Sequence, residues 1–208
     1  MDPLPAQIAL RDVSLRDGLQ DEDPIPLADK VAIFEALVAA GVRDLELTSF
    51  VRPDRVPALA DAESLCAATA ELGEGAGVTR WGLVLNPRGV QRALAAGVTH
   101  VQYVVSVSDT HSRHNAGTGT EQAMADFAAV AASAIDDGGA VELTIATATG
   151  CPFEHRVDPH AVVEIAERAA AAGVSSIGLA DTIGVAVPTE IAQLLDVGTA
   201  AGDGPSGV

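Results

Sequence analysis

Arg16 and Asp17 stand side by side in "LRDGLQDE", directly after the apolar-rich run "QIALRDVS". Glu46, Thr48 and Ser49 fall in "LELTSF", and Asp181 and Thr182 in "LADTIGV", again where short apolar runs end. A carboxylate at such a place is costly to bury unless a cation meets it. Asp17, Glu46 and Asp181 can be reconciled by a divalent metal, by Arg16, or by both. The plainer alternatives stay open on the residues alone. Arg16 and Asp17 can be a surface ion pair, Glu46 a structural partner of Arg16, Asp181 a cap for the turn that follows it, and Cys151 in "TATGCPFEH" a small buried side chain.

Positioning such groups requires a repeated scaffold, and the chain has one. "AAGVRDLEL", "AAGVTHVQY" and "AAGVSSIGL" each end an alanine-rich helix, turn at a glycine and enter a strand-prone run; "GAGVTRWGLVL" and "DGGAVELTIAT" are looser versions. The junctions fall at Gly41, Gly77, Gly97, Gly139 and Gly173, where glycine supplies the left-handed residue that stops a helix. The runs that follow are short and near-continuously apolar, as in strands covered on both faces. Val31, Phe34, Leu37 and Val38 share one stripe of a predicted helix. Asp158 caps another, with Pro159 at its first position and Val162, Val163 and Ile165 or Ala166 facing the core.

Together these signals predict strands near 7–14, 44–50, 80–85, 100–107, 140–147 and 176–180. Helices are predicted near 27–40, 58–72, 87–96, 120–136, 158–172 and 188–197. Strict alternation implies a parallel α/β sheet with right-handed crossovers, in an open sheet or a barrel. No G-x-G-x-x-G follows the first strand, so the usual dinucleotide fingerprint is missing. The polar residues gather at the C-terminal ends of the strands, where a TIM (β/α)8 barrel carries its chemistry. About six βα units fit within residues 1–197, and 198–208 read as a flexible Gly/Ala-rich tail.

Composition narrows the partners. A formal charge of −17 and the small basic complement argue against nucleic acid. The apolar content is 48%, yet no run approaches the length of a membrane span. Aromatic residues make up only 3%, so the core must be Ala, Val, Leu and Ile. The start "MDPLPAQ" shows no signal-peptide pattern, and Cys66 and Cys151 are far apart, which fits a reducing cytoplasm.

The segments "RDGLQDE", "LELTSFVRPDRVPALADAE", "TGCPFEH" and "LADTIGV" resemble the signature segments of the hydroxymethylglutaryl-CoA lyase family, metal-dependent TIM-barrel lyases and synthases. The resemblance runs from about residue 7 to about 197, in the family's order. It implies an acyl-CoA substrate carrying a tertiary hydroxyl, cleaved to acetyl-CoA and a keto acid, and a Mg²⁺ or Mn²⁺ cofactor. Asp17 then matches a metal ligand, and Arg16 the arginine that stabilises the enolate. Glu46 matches the glutamate that supports both, and Asp181 joins Arg16 and Glu46 as catalytic. Gln20, Ser49, Asn86, Cys151 and Thr182 match positions around the substrate. His111 and His114 read as solvent-facing or beside the CoA arm.

The family's H-x-H strand, its eighth-strand asparagine and its glycine-rich cysteine loop have no counterpart, which implies a C-terminally truncated member. Glu142 and Thr144 stand where the lyase commonly has Arg-x-Tyr. A sibling lyase or Claisen-type synthase is the nearest alternative, and a non-catalytic remnant the second. Open sheet edges would favour association, for which a homodimer is the simplest expectation.

Overall fold

The computed structural model of the chain describes residues 8–136 and 138–200. Five strands are present among them: β1 (Asp44–Ser49), β2 (Thr79–Val84), β3 (His100–Ser106), β4 (Ala140–Ala146) and β5 (Ser176–Leu179). They form one parallel sheet in the order β1-β2-β3-β4-β5. Each neighbour in space is the next strand in sequence, the order a barrel wall takes as it winds.

The run predicted as the first strand holds its place beside β1 through a single parallel bridge, Asp12 to Leu45. Asp12 N–H donates to the Asp44 carbonyl at 3.0 Å, and Glu46 N–H to the Asp12 carbonyl at 2.8 Å. Ile8 and Leu10 remain largely exposed, and among the described residues no further bridge extends the pairing. This corrects the expected full strand over 7–14, whose first residue lies outside the described residues.

Nine helices are described: α1 (Asp17–Gln20), α2 (Leu27–Ala39), α3 (Ala62–Ala68), α4 (Ala70–Gly75), α5 (Pro87–Ala95), α6 (Asp109–Ala116), α7 (Thr120–Asp136), α8 (Pro159–Ala171) and α9 (Pro188–Ala200). The helix predicted over 58–72 is instead a 3₁₀ turn at Pro57–Leu59 followed by α3 and α4. Thr69 sits at the break, its Oγ1 donating to the Leu65 carbonyl at 2.8 Å, a side-chain bond that bends helices. α6 was not among the predicted helices; Ser108 caps it and Gly117, at φ 79°, ends it.

α8 begins as predicted, with Asp158 accepting from His160 N–H and Pro159 at its first position. Val162 and Ile165 are buried on it, while Val163 is only half-buried. α9 runs on to Ala200, and the tail predicted beyond it lies outside the described residues. Among the described residues no helix is long and apolar enough to cross a membrane.

Four of the five junction glycines have positive φ, but at the fourth junction Gly138, not Gly139, is the left-handed residue. Gly139 is needed for a different reason: a Cβ there would lie 2.3 Å from the Thr99 carbonyl oxygen. The core is aliphatic, as the composition requires, with Leu45, Leu47, Val101, Val105, Val141, Leu143 and Ile145 from the sheet and Phe34 and Phe127 from the helices. Their alternate neighbours Gln102, Val104, Thr144 and Ala146 turn the other way and line a cleft.

Candidate active site

The cleft, of about 660 Å³, opens at the C-terminal ends of the strands, between Ser49 at the end of β1, Asn86 after β2, Ala146 at the end of β4 and Thr182 after β5. Arg16, Asp17 and Gln20 enter it from the short helix α1. The Arg16 guanidinium donates through Nε to Glu46 Oε2 on β1 and through Nη1 to Asp17 Oδ1. Nη1 also reaches Gln20 Oε1 at 3.3 Å. Glu46 is buried, at 1% exposure, whereas the Asp17 side chain is 53% exposed. Arg16 is therefore fixed from behind by an enclosed carboxylate and flanked by one that faces solvent.

Burial pushes the Glu46 carboxyl above its ordinary value, against the pull of Arg16 and, more weakly, Arg11. The guanidinium at close range holds the pair together, and the desolvation that raises Glu46 also strengthens that attraction. A planar guanidinium held by one edge leaves its remaining N–H groups to aim at a ligand oxygen.

The sequence-predicted residues separate into two groups. Arg16, Asp17, Gln20, Ser49, Asn86 and Thr182 line one cleft, with Glu46 directly behind Arg16. Asn86 Oδ1 accepts from Gly89 N–H at 2.9 Å, capping α5. Thr182 Oγ1 accepts from Thr147 N–H at 2.7 Å. Thr147 is buried at φ 59°, a strained setting for a β-branched residue at the mouth of the sheet.

Asp181 and Cys151 are not among the lining residues. The Asp181 carboxylate accepts from Thr149 Oγ1 and from the N–H groups of Val185, at 3.1 Å, and Ala186, at 3.0 Å. The Thr149 bond, with these backbone donors, holds it below the usual carboxylate range. It fastens its own turn. Cys151 is buried and free, its Sγ 3.0 Å from Ser108 Oγ and accepting from Phe153 and Glu154 N–H groups at 3.4 Å. Burial works to raise its thiol, but these hydrogen bonds bring it below the ordinary value.

Arg52 and Arg55 after β1, which lie within the segment "LELTSFVRPDRVPALADAE" but have no role assigned by it, also line the cleft, as do Arg113 and Asn115 on α6 and Gln102 on β3, which carry no motif. His111 and His114, read as solvent-facing or beside the CoA arm, also line the cleft. His111 Nδ1 lies 2.7 Å from Ser106 Oγ, and burial, with His114 nearby, holds its ring below the usual histidine value. The available signal was helical: Ser108 and Gly117 bracket α6, which brings four of these side chains to the cleft.

Among the described residues no group of three or more His, Cys, Asp or Glu side chains converges to hold a metal ion. Asp17 is one oxygen donor of the several a hard divalent ion needs, and Arg16 already engages it. The residues present do not by themselves compose a metal centre.

Comparison with known proteins agrees with this geometry. The model of the HMGL-like family matches residues 7–199. (R)-citramalyl-CoA lyase of Chloroflexus aurantiacus is 38% identical over 195 residues, covering 90% of this chain and 62% of that protein. The structure of the Bacillus subtilis HMG-CoA lyase superposes with a TM-score of 0.89 at 32% identity, over 94% of this chain and 65% of that one. An HMG-CoA lyase solved in complex with coenzyme A and 3-methylmalate has a TM-score of 0.85 at 28% identity, over 95% and 64%. The chain thus spans less than two thirds of the length of these relatives, and its sheet is part of a TIM-type barrel.

Proposed function

From the premise that the chain belongs to the HMGL-like family, we propose that it is a carbon–carbon lyase acting on an acyl-CoA thioester whose third carbon bears a hydroxyl. The bond between the second and third carbons breaks: the hydroxyl loses its proton and becomes a carbonyl, and the bonding pair passes to the thioester as an enolate. Protonation of that enolate gives acetyl-CoA. The observation that carries this reading is Arg16, locked to buried Glu46 and open to the cleft. Its guanidinium stabilises charge that grows on the thioester oxygen only as the bond breaks. Glu46 is the positioning residue: it orients Arg16 and stands behind it.

The hydroxymethylglutaryl group, whose cleavage yields acetoacetate, is the acyl group that the motifs imply. A sibling lyase with a different acyl group is the second reading, favoured by Glu142 and Thr144 on β4 and by the 38% identity to a citramalyl-CoA lyase. Mg²⁺ or Mn²⁺ belongs to the same proposal, resting on Asp17 as one ligand. Two free, buried cysteines suit a reducing, cytoplasmic setting. Pairing of two copies would cover apolar side chains such as Val185 and Val187 that stand about half exposed beside β5. Calorimetric titration of Mg²⁺ or Mn²⁺ into the purified chain, run beside an assay for acetyl-CoA release, tests the reading. Acetyl-CoA release with the ion present is expected, whether or not the chain alone holds the ion; protein that binds acyl-CoA with the ion present and releases no acetyl-CoA contradicts it.

A further inference from the structure

Cleavage of a hydroxyacyl thioester moves one proton, from the hydroxyl on the third carbon to the second carbon, and general catalysis needs a group there that gains and loses a proton near neutral pH. Arginine stays protonated in proteins, so Arg16, Arg52, Arg55 and Arg113 are excluded as carriers. Among the described residues that line the cleft, Asp17, His111 and His114 are left. Asp17 is already engaged by the Arg16 guanidinium. His114 is exposed and spends a ring face on Phe153, itself 47% exposed, at 4.6 Å between centroids. Glu46 stands behind Arg16, and Asp181 and Cys151 are not among the lining residues.

His111 is held differently. It lies half-buried in the first turn of α6, where its N–H donates to the Oγ of the capping Ser108 at 3.1 Å. Its Nδ1 is 2.7 Å from the Oγ of Ser106, a buried residue at the end of β3. A hydroxyl can donate to a bare Nδ1 or accept from Nδ1–H, so Ser106 fixes the ring without fixing its tautomer. Nε2 is then a base in one tautomer and an acid in the other. The charged and titratable groups around the ring are Asp109, Arg113 and His114 on α6, and Cys151 and Glu154 on the loop after β4. Asp109 is spent on Arg113 and on Thr120 N–H, and Glu154 on Thr110 N–H. Burial, with His114 nearby, keeps the imidazole neutral at pH 7.

Resting on the acyl-CoA lyase reading above, we propose that His111, anchored by Ser106, is the catalytic residue that carries the proton of the cleavage. Nε2 takes the proton of the substrate hydroxyl; the O–H pair becomes the second bond of the new carbonyl, and the pair of the broken carbon–carbon bond passes into the enolate. The imidazolium then gives the same proton to the second carbon, where the enolate pair forms the new C–H bond and the ring returns to neutral. One proton is lost and one is needed on adjacent carbons' substituents, so a single ring closes the cycle with no further donor. Arg16 meets the charge on the thioester oxygen while His111 moves the proton, and Ser106 is the positioning residue.

The test is acetyl-CoA release by the full chain with Mg²⁺ present, from 3-hydroxy-3-methylglutaryl-CoA or citramalyl-CoA, whichever the wild type cleaves, at pH about 5 to about 8. Wild-type kcat/KM should rise with pH through a limb below the ordinary histidine value, because only the neutral ring accepts a proton. His111→Gln should lower kcat about a hundredfold, leave coenzyme A binding within about twofold and remove that limb. Added imidazole should restore part of the rate to His111→Ala, which it would not do for a ring that only packs. His114→Gln should stay within about threefold of the wild type. Unfolding curves accompany each variant; if the His111 variants do not fold, Ser106→Ala carries the test, with kcat about tenfold lower at unchanged coenzyme A affinity. A folded His111→Gln that keeps the wild-type rate or the pH limb, or a His114→Gln that loses more, overturns the proposal and leaves the lyase reading standing. A wild-type chain that binds both thioesters and releases no acetyl-CoA overturns that reading and this proposal with it.

Discussion

Arg11 and Arg16 come from the same N-terminal segment, and each meets two carboxylates, yet the two clusters serve opposite ends. Arg11 pairs with Asp44 and Glu142, lies over the Trp81 ring and is not among the cleft-lining residues. Arg16 has an enclosed partner on one side only, and Asp17 beside it is half exposed at the cleft. A guanidinium that ties strands together away from the cleft stabilises the fold and meets no ligand. One fixed by a buried carboxylate and facing the cleft is oriented and available. Position at the cleft, rather than residue type or number of partners, separates a structural arginine from a functional one.

The comparison can be broken first at Arg11. Arg11→Gln strips the compensating charge from the buried Glu142 and the half-buried Asp44, and should cost about 3 kcal/mol of stability. Urea unfolding read by circular dichroism is expected to show a lower midpoint at unchanged slope. Arg16→Gln should cost less, because burial already biases Glu46 toward its protonated form. A larger loss at Arg16 than at Arg11 would reverse the assignment.

Acid sharpens the contrast. The folded-state value of Glu142 is lowered, so its contribution is present above the ordinary carboxylate range and is lost as pH falls through the folded value. Glu46 is raised, so its ionisation subtracts stability as pH climbs from the ordinary range through the folded value. Urea midpoints measured from pH about 3 to about 7 should therefore show a shallower acid limb in Glu142→Gln and a steeper rise with pH in Glu46→Gln. The smallest effect belongs to the rim. Arg52 and Asp54 form an exposed pair, and Arg52→Ala should leave the unfolding midpoint unchanged within error.

The sheet order, the helix ends and the grouping of Arg16, Asp17 and Glu46 were legible in the sequence because each rests on a local signal. Glycine stops, an Asp–Pro helix start and short apolar runs need no partner to be recognised. The buried polar cluster around Glu142 was not legible. Gln102, Glu142 and Ser176 meet only through register between three strands, and Arg11 reaches them from the far end of the chain. Asp181 shows the converse. It is carried by a motif, but its carboxylate is spent on the N–H groups of its own turn, an outcome decided by backbone geometry that spacing does not encode. The split of the 58–72 helix at Thr69 is of the same kind, set by one hydroxyl bonding back to Leu65.

The central claim is that Arg16 stabilises an enolate of the thioester, and exchange of the acetyl protons of acetyl-CoA with deuterated water, followed by NMR, reads enolate formation directly. The wild-type chain with Mg²⁺ should catalyse exchange, and Arg16→Gln should slow it by about a thousandfold, some 4 kcal/mol of lost charge stabilisation. Exchange that proceeds at the wild-type rate in folded Arg16→Gln would contradict the account.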